Sequence, residues 1–162
     1  MKQFSGKATL IVTLLLPLIA CNQGSAPAAA AADDSPEGQA FEYRVGLMHA
    51  VSWKVGKLRA MASGDIPVDD AAALKTARDT AALSGMMTEG FIPNSAVAGS
   101  AALPEIWMNF PDFEQKAKDF QNLATSLADA IQANGFEASK GMVQPVGQSC
   151  GGCHRPYRRR EE

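Results

Sequence analysis

The residues with chemical potential lie at the end of the chain. Cys150-Gly151-Gly152-Cys153-His154 is a C-x-x-C-H run eight residues from the C-terminus. In this order two thiols can add to the two vinyl groups of one porphyrin while the next imidazole reaches the iron from the same side. The run therefore reads as a site for one covalent haem c, with Cys150 and Cys153 as thioether anchors and His154 as axial ligand. On a helix, Cys150 and His154 stand four apart and share a face. Other chemistries fit less well. A zinc site would need a fourth ligand, and the sole other histidine, His49, falls on another predicted helix. A redox C-x-x-C would need a βαβ context, and the sequence shows none. An enzyme would need a positioned distal acid or base, and none is evident, so the reading is a non-enzymatic haem protein.

The other end is consistent with that chemistry. Lys2 and Lys7 precede an apolar run from Ala8 to Ile19 that is too short for a comfortable bilayer span, so residues 1–20 read as an export signal. Ala20 before Cys21 resembles a bacterial lipobox, which implies lipidation of Cys21; ordinary secretory cleavage is the alternative. With three cysteines in all, one goes to lipid and two to haem, leaving none for a disulfide. These features place the protein on the periplasmic side of a bacterial membrane, lipid-anchored at Cys21, or soluble in the periplasm under the alternative. Without residues 1–20 the chain carries 13 basic and 17 acidic residues, a formal charge of −4, which argues against nucleic acid as partner.

The elements that must position the motif follow from hydrophobic period. Residues 21–39 are rich in Ala, Ser, Pro and acids and read as a flexible tether, leaving 40–162 for one domain. From Phe41 to Ser63, Met48, Val51, Val55, Leu58 and Ala62 recur at steps of three and four, predicting a first helix stopped by Gly64 and Pro67. Asp69-Asp70 caps a second, with Ala73, Ala77, Ala81 and Ser84 as a narrow small-residue face, ending near Gly90. Phe91 to Asn109 lacks period and reads as a long crossover anchored by Trp107 and Phe110. A third helix starts at Pro111 or Asp112, carries Phe113, Ala117, Phe120, Ala124, Leu127 and Ile131 inward, and stops at Asn134-Gly135. The last helical region, Phe136 to Arg160, holds the C-x-x-C-H run, with a break expected near Pro145 and a kink near Pro156. Gly151 and Gly152 each disfavour helix by about 1 kcal/mol, so bound haem must help hold this stretch. The pattern predicts an all-α antiparallel four-helix bundle with haem c attached on the C-terminal helix.

Four features together resemble class II cytochromes c, the family that includes cytochromes c′. They are the pair Arg44-x-x-x-Met48, the turn Pro104-Glu105-Ile106-Trp107, the C-terminal attachment motif, and Tyr157-Arg158 beyond it. The resemblance spans about residues 40 to 160. It implies that His154 is the proximal ligand, that Arg44 approaches a haem propionate, and that Arg158 lies near the proximal face.

By the same resemblance, Met48 falls at the family position that faces the distal side of the haem. If its sulfur binds iron, a six-coordinate His/Met haem serves electron transfer with a periplasmic or membrane redox partner. If it only packs over the porphyrin, the resemblance implies a five-coordinate, high-spin centre that binds nitric oxide or carbon monoxide. Plain core filling is the commoner fate of a helical methionine. Yet Met48 lies four after Arg44 on one face, and sulfur is the soft donor there, which favours ligation. The resemblance also allows a homodimer through the first two helices.

Overall fold

The computed structural model describes residues 33–160. The export signal, Cys21 and most of the tether lie outside the described residues.

Helix α1 spans Pro36–Ser63. It starts five residues before Phe41, so residues 36–39, read from composition as tether, form its first turn. The reason is local: the Ser35 hydroxyl accepts from the Gly38 amide at 3.0 Å, Pro36 needs no amide partner, and Glu37 complements the helix N-terminus. Gly64, at φ 83°, ends the helix in the left-handed conformation. Helix α2 spans Asp70–Ser84, capped by Asp69, whose carboxylate accepts from Ala72 N at 2.7 Å. It ends six residues before Gly90; the chain continues as tight turns held by bonds such as Met87 N to Ser84 O. Its buried face also contains Thr76 and Thr80, which a search for apolar period overlooks because their hydroxyls are satisfied one turn back, on Ala72 O and Thr76 O.

The crossover contains one short turn of helix, α3 (Glu105–Met108). Helix α4 (Phe110–Asn134) buries all six residues of its predicted stripe. The last region is three pieces: α5 (Phe136–Ser139), a 3₁₀ turn over Lys140–Met142, and α6 (Val143–Tyr157). The restart at Val143 puts Pro145 within the first turn of α6, where a missing amide costs no helical bond. Pro156 stands one residue before α6 ends.

Cross-contacts fix the directions. The short 64–69 connection and the Lys54–Asp79 ion pair (2.6 Å) set α2 antiparallel to α1. Asp70, opening α2, accepts from Phe136 N at 2.8 Å just past the end of α4, and Arg78 reaches Gln132 at 2.7 Å, so α4 is antiparallel to α2. Tyr157 at the end of α6 donates to Asp112 at the start of α4, so α6 is antiparallel to α4 and hence to α1. The described chain is therefore an antiparallel four-helix bundle with no strand among the described residues. Its main apolar cluster joins Val51, Val55, Leu58 and Met61 of α1 to Ala73 and Ala77, to Phe120, Leu127, Ala128 and Ile131, and to Phe136, Val143 and Val146.

Candidate haem attachment site

Cys150, Cys153 and His154 lie within α6, the thiols free and half-buried and the imidazole exposed. The two thiols face different neighbours. Cys150 packs against the main cluster, whereas Cys153 packs against a second cluster of Ile106, Phe113 and Tyr157 with Phe91, Trp107 and Phe110. Burial pushes both thiols up, Cys153 to about 11; at Cys150 the Arg59 guanidinium pulls the other way. At neutral pH both are therefore S–H groups, the form that adds across a vinyl double bond. Desolvation, then the charge of Arg158, holds His154 below its ordinary value, leaving a neutral imidazole with a free lone pair. Two half-buried thiols and a neutral imidazole on one helix fit haem c in donor chemistry. Among the described residues no three His, Cys, Asp or Glu side chains gather as a metal-ion site.

Arg59 marks how closely α1 meets this helix. A Cβ on Gly147 would fall 2.1 Å from Arg59 Nη2, so the guanidinium lies in the notch that glycine leaves, one turn before Cys150.

Arg44 is 5 % exposed and fully engaged within the protein. Nη1 donates to Gly90 O and, at 2.8 Å, to Ser95 Oγ; Nη2 donates to Ser95 O at 2.8 Å and more weakly to Ser100 Oγ. The Phe91 ring lies 4.8 Å below it. Arg44 has no carboxylate partner among the described residues, and burial lowers its pKa. Its position thus clamps the crossover, a role the sequence did not suggest, because Gly90, Ser95 and Ser100 sit in an aperiodic segment. Met48 is half-buried on the same helix and belongs to neither apolar cluster. His49, next to it, is exposed.

The crossover is also fastened to α6. Ala102 bridges Arg158, Leu103 N donates to Tyr157 O at 3.0 Å, and Arg159 N donates to Ala101 O at 2.8 Å. Trp107 Nε1 donates to Phe91 O and Ile92 O, and Phe113 meets Tyr157 and Phe91 edge-on, with centroids 5.4 and 4.6 Å away. Of these residues, Arg59 carried no sequence signal, and Asp112 was legible only as a helix start; neither contact exists until the neighbouring helix is in place.

A four-helix bundle with paired thiols and an imidazole on its last helix defines a class, the haem c proteins that attach their cofactor near the C-terminus. Within it, the chain belongs to the cytochrome c′ family, whose model, described as Cytochrome C', matches residues 39–158. Cytochrome c-554 of Cereibacter sphaeroides is 32 % identical over 75 % of this chain and 93 % of its own length. Cytochrome c-556 of Agrobacterium fabrum is 38 % identical over 72 % and 79 %. Among solved structures, cytochrome c prime from Shewanella frigidimarina superposes with TM-score 0.69 at 33 % identity, covering 78 % of this chain and 98 % of that one. A nitric oxide complex of a cytochrome c prime mutant from Alcaligenes xylosoxidans superposes at TM-score 0.71 and 28 % identity, covering 79 % and 98 %. The family binds haem c covalently through cysteine, and this chain carries Cys150 and Cys153 for it. It is a haem c protein of that family.

Proposed function

We propose that the protein is an exported, one-haem electron carrier, with thioethers at Cys150 and Cys153, His154 on the iron and Met48 as the opposite axial ligand. The haem supplies a one-electron iron couple when bound. The His154 lone pair would hold the metal from α6 and thioethers at Cys150 and Cys153 would tether the ring, beside a crossover clamped by Arg44. Arg44, a buried cation without a carboxylate, would take a propionate as counter-ion by giving up its weakest crossover bond, the 3.5 Å one to Ser100 Oγ.

The observation that carries the Met48 assignment is that this half-buried residue places a soft donor on α1 one turn after the buried Arg44. Register supports it. With α1 and α6 antiparallel and Arg59 against Gly147, moving seven residues along each helix brings His154 level with Ser52, one turn from Met48. A soft thioether there raises the potential and closes the sixth position.

The second reading is a five-coordinate, high-spin centre that binds nitric oxide or carbon monoxide, with Met48 as an apolar lid. The nitric oxide complexes of the Alcaligenes relative favour it. Absorption and electron paramagnetic resonance spectra of matured wild type and Met48→Ala separate the two. Ligation predicts a low-spin wild type that turns high-spin in the variant. An unchanged spin state would sink it and leave the gas-binding reading.

Export by residues 1–20 and lipidation of Cys21 complete the proposal. No described helix is long and apolar enough to cross a membrane. Mass spectrometry of the mature N-terminus would show a diacylglyceryl-modified Cys21, or an unmodified one under ordinary cleavage.

A further inference from the structure

His154 sits at the edge of an open surface cleft of about 390 Å³ lined otherwise by Arg155, Arg158, Arg159 and Arg160. Among the described residues no carboxylate lines it. All four arginines are exposed, and Arg158 is the charge that acts on His154. The sign is opposite to that of the chain as a whole, which carries −2. The adjoining crossover, residues 91–109, carries a single charged side chain, Glu105, which does not line the cleft. The two acids that follow, Glu161 and Glu162, lie outside the described residues and leave four cations against two anions from 155 to 162. The cleft is built into the fold. Arg159 Nη2 donates to Ser100 O, its backbone holds Ala101 O, and Arg155 Nη1 comes within 3.3 Å of where a Cβ on Gly151 would stand. Gly151 thus lets the Arg155 head lie back along α6 beside the attachment site.

We propose that this cleft is the docking surface for an acidic redox protein, whose surface carboxylates seat among Arg155, Arg159 and Arg160 and bring its redox centre to the His154 side of the haem. The inference rests on the one-electron reading above, but it holds for either axial ligand set. An electron leaves ferrous iron, the partner is reduced, and no proton or bond changes hands. Local positive charge around the exit and net negative charge elsewhere would orient the encounter. Membrane lipid is the competing anion, and the cleft's place around His154 favours a redox partner.

The test uses the holoprotein and two small oxidants of opposite charge, hexacyanoferrate(III) and tris(phenanthroline)cobalt(III), with stopped-flow rates measured from low to high salt. A net-negative protein should repel the anion, so its rate would rise with salt. The cleft predicts the reverse: fast oxidation by hexacyanoferrate that slows with salt. The double variant Arg155→Glu/Arg160→Glu should lower that low-salt rate about tenfold and leave the potential and spectrum unchanged. If Arg155→Glu alone shifts the potential, Arg160→Glu carries the comparison. A hexacyanoferrate rate that rises with salt, or that the variants do not alter, would overturn the proposal. So would binding to phosphatidylglycerol vesicles that the variant abolishes while its oxidation rates stay at wild-type values. Failure to exchange electrons with either reagent would instead remove the one-electron reading, and this surface with it.

Discussion

Tyr157 is 5 % exposed, and its hydroxyl donates to Asp112 Oδ2 at 2.5 Å across the α4–α6 seam. That bond holds the phenol protonated, its pKa pushed up to about 12, and holds Asp112 below the usual carboxylate range. The two shifts act on opposite flanks of pH. Folding favours the protonated phenol, so its contribution is complete below the ordinary tyrosine value near 10 and is lost as pH rises toward 12. Folding favours the ionised Asp112, so that contribution is present above about pH 4 and is lost in acid. Tyr157→Phe should therefore lower the urea midpoint by a constant amount from pH 6 to 9. The gap should close above pH 10. A gap that persists beyond pH 12 would assign the loss to ring packing instead. Arg44 makes the second residue-scale case. Arg44→Ala strands Gly90 O and Ser95 O, and should cost about 3 kcal/mol in chemical denaturation. Arg44→Lys should recover only part of this, because an ammonium cannot reproduce the planar fork. The identities of Arg44 and Tyr157 were legible in sequence. Their partners were not, since Ser95, Ser100 and Asp112 become neighbours only after the chain has crossed the bundle.

At the scale of elements, period located what buries a face and missed what depends on a single cap or turn. The α4 stripe was legible residue for residue because each of its positions meets the core. The start of α1 was not, because Ser35-Pro36-Glu37 is a capping signal embedded in a segment whose composition reads as a linker. The break before α6 was visible in Pro145, although its form, a 3₁₀ turn ending at Met142, was not. Two glycines test how tightly the elements meet. A Cβ on Gly90 would stand 2.7 Å from Arg44 Cγ and 3.0 Å from Ala40 O, and the backbone of α1 cannot retreat. Gly90→Ala should cost about 1–3 kcal/mol, read as a lower thermal midpoint. At Gly147 the atoms in the way all belong to the Arg59 guanidinium, which can swing into solvent. Gly147→Ala should be neutral or stabilise by up to about 1 kcal/mol through helix propensity. Equal losses at the two sites would mean that Arg59 is as fixed as the backbone.

Across the whole molecule, the haem anchors sit where two apolar clusters meet. Cys150 packs on the main cluster, which has thirteen buried residues drawn from α1, α2, α4, α6 and Phe136. Cys153 packs on the smaller one, with three buried residues, Ile106, Phe113 and Tyr157, backed by half-buried aromatics of the crossover. The larger cluster joins α1, α2, α4 and α6 through apolar side chains alone. The smaller one depends on the end of α6, which contains Gly151, Gly152 and Pro156 and is intrinsically a poor helix. A Cys150→Ala/Cys153→Ala variant, which cannot attach haem covalently, should therefore unravel in one region first. Hydrogen exchange should show protected amides in α2 and over Phe120–Ile131 of α4. Protection should be lost from Gly151 to Tyr157 and through the crossover, whose fastenings to Arg158, Arg159 and Tyr157 go with it. A uniform loss would mean that the clusters fold as one unit. Protection retained at Gly151 and Gly152 would mean that packing alone holds α6, and that haem attaches to a helix already formed.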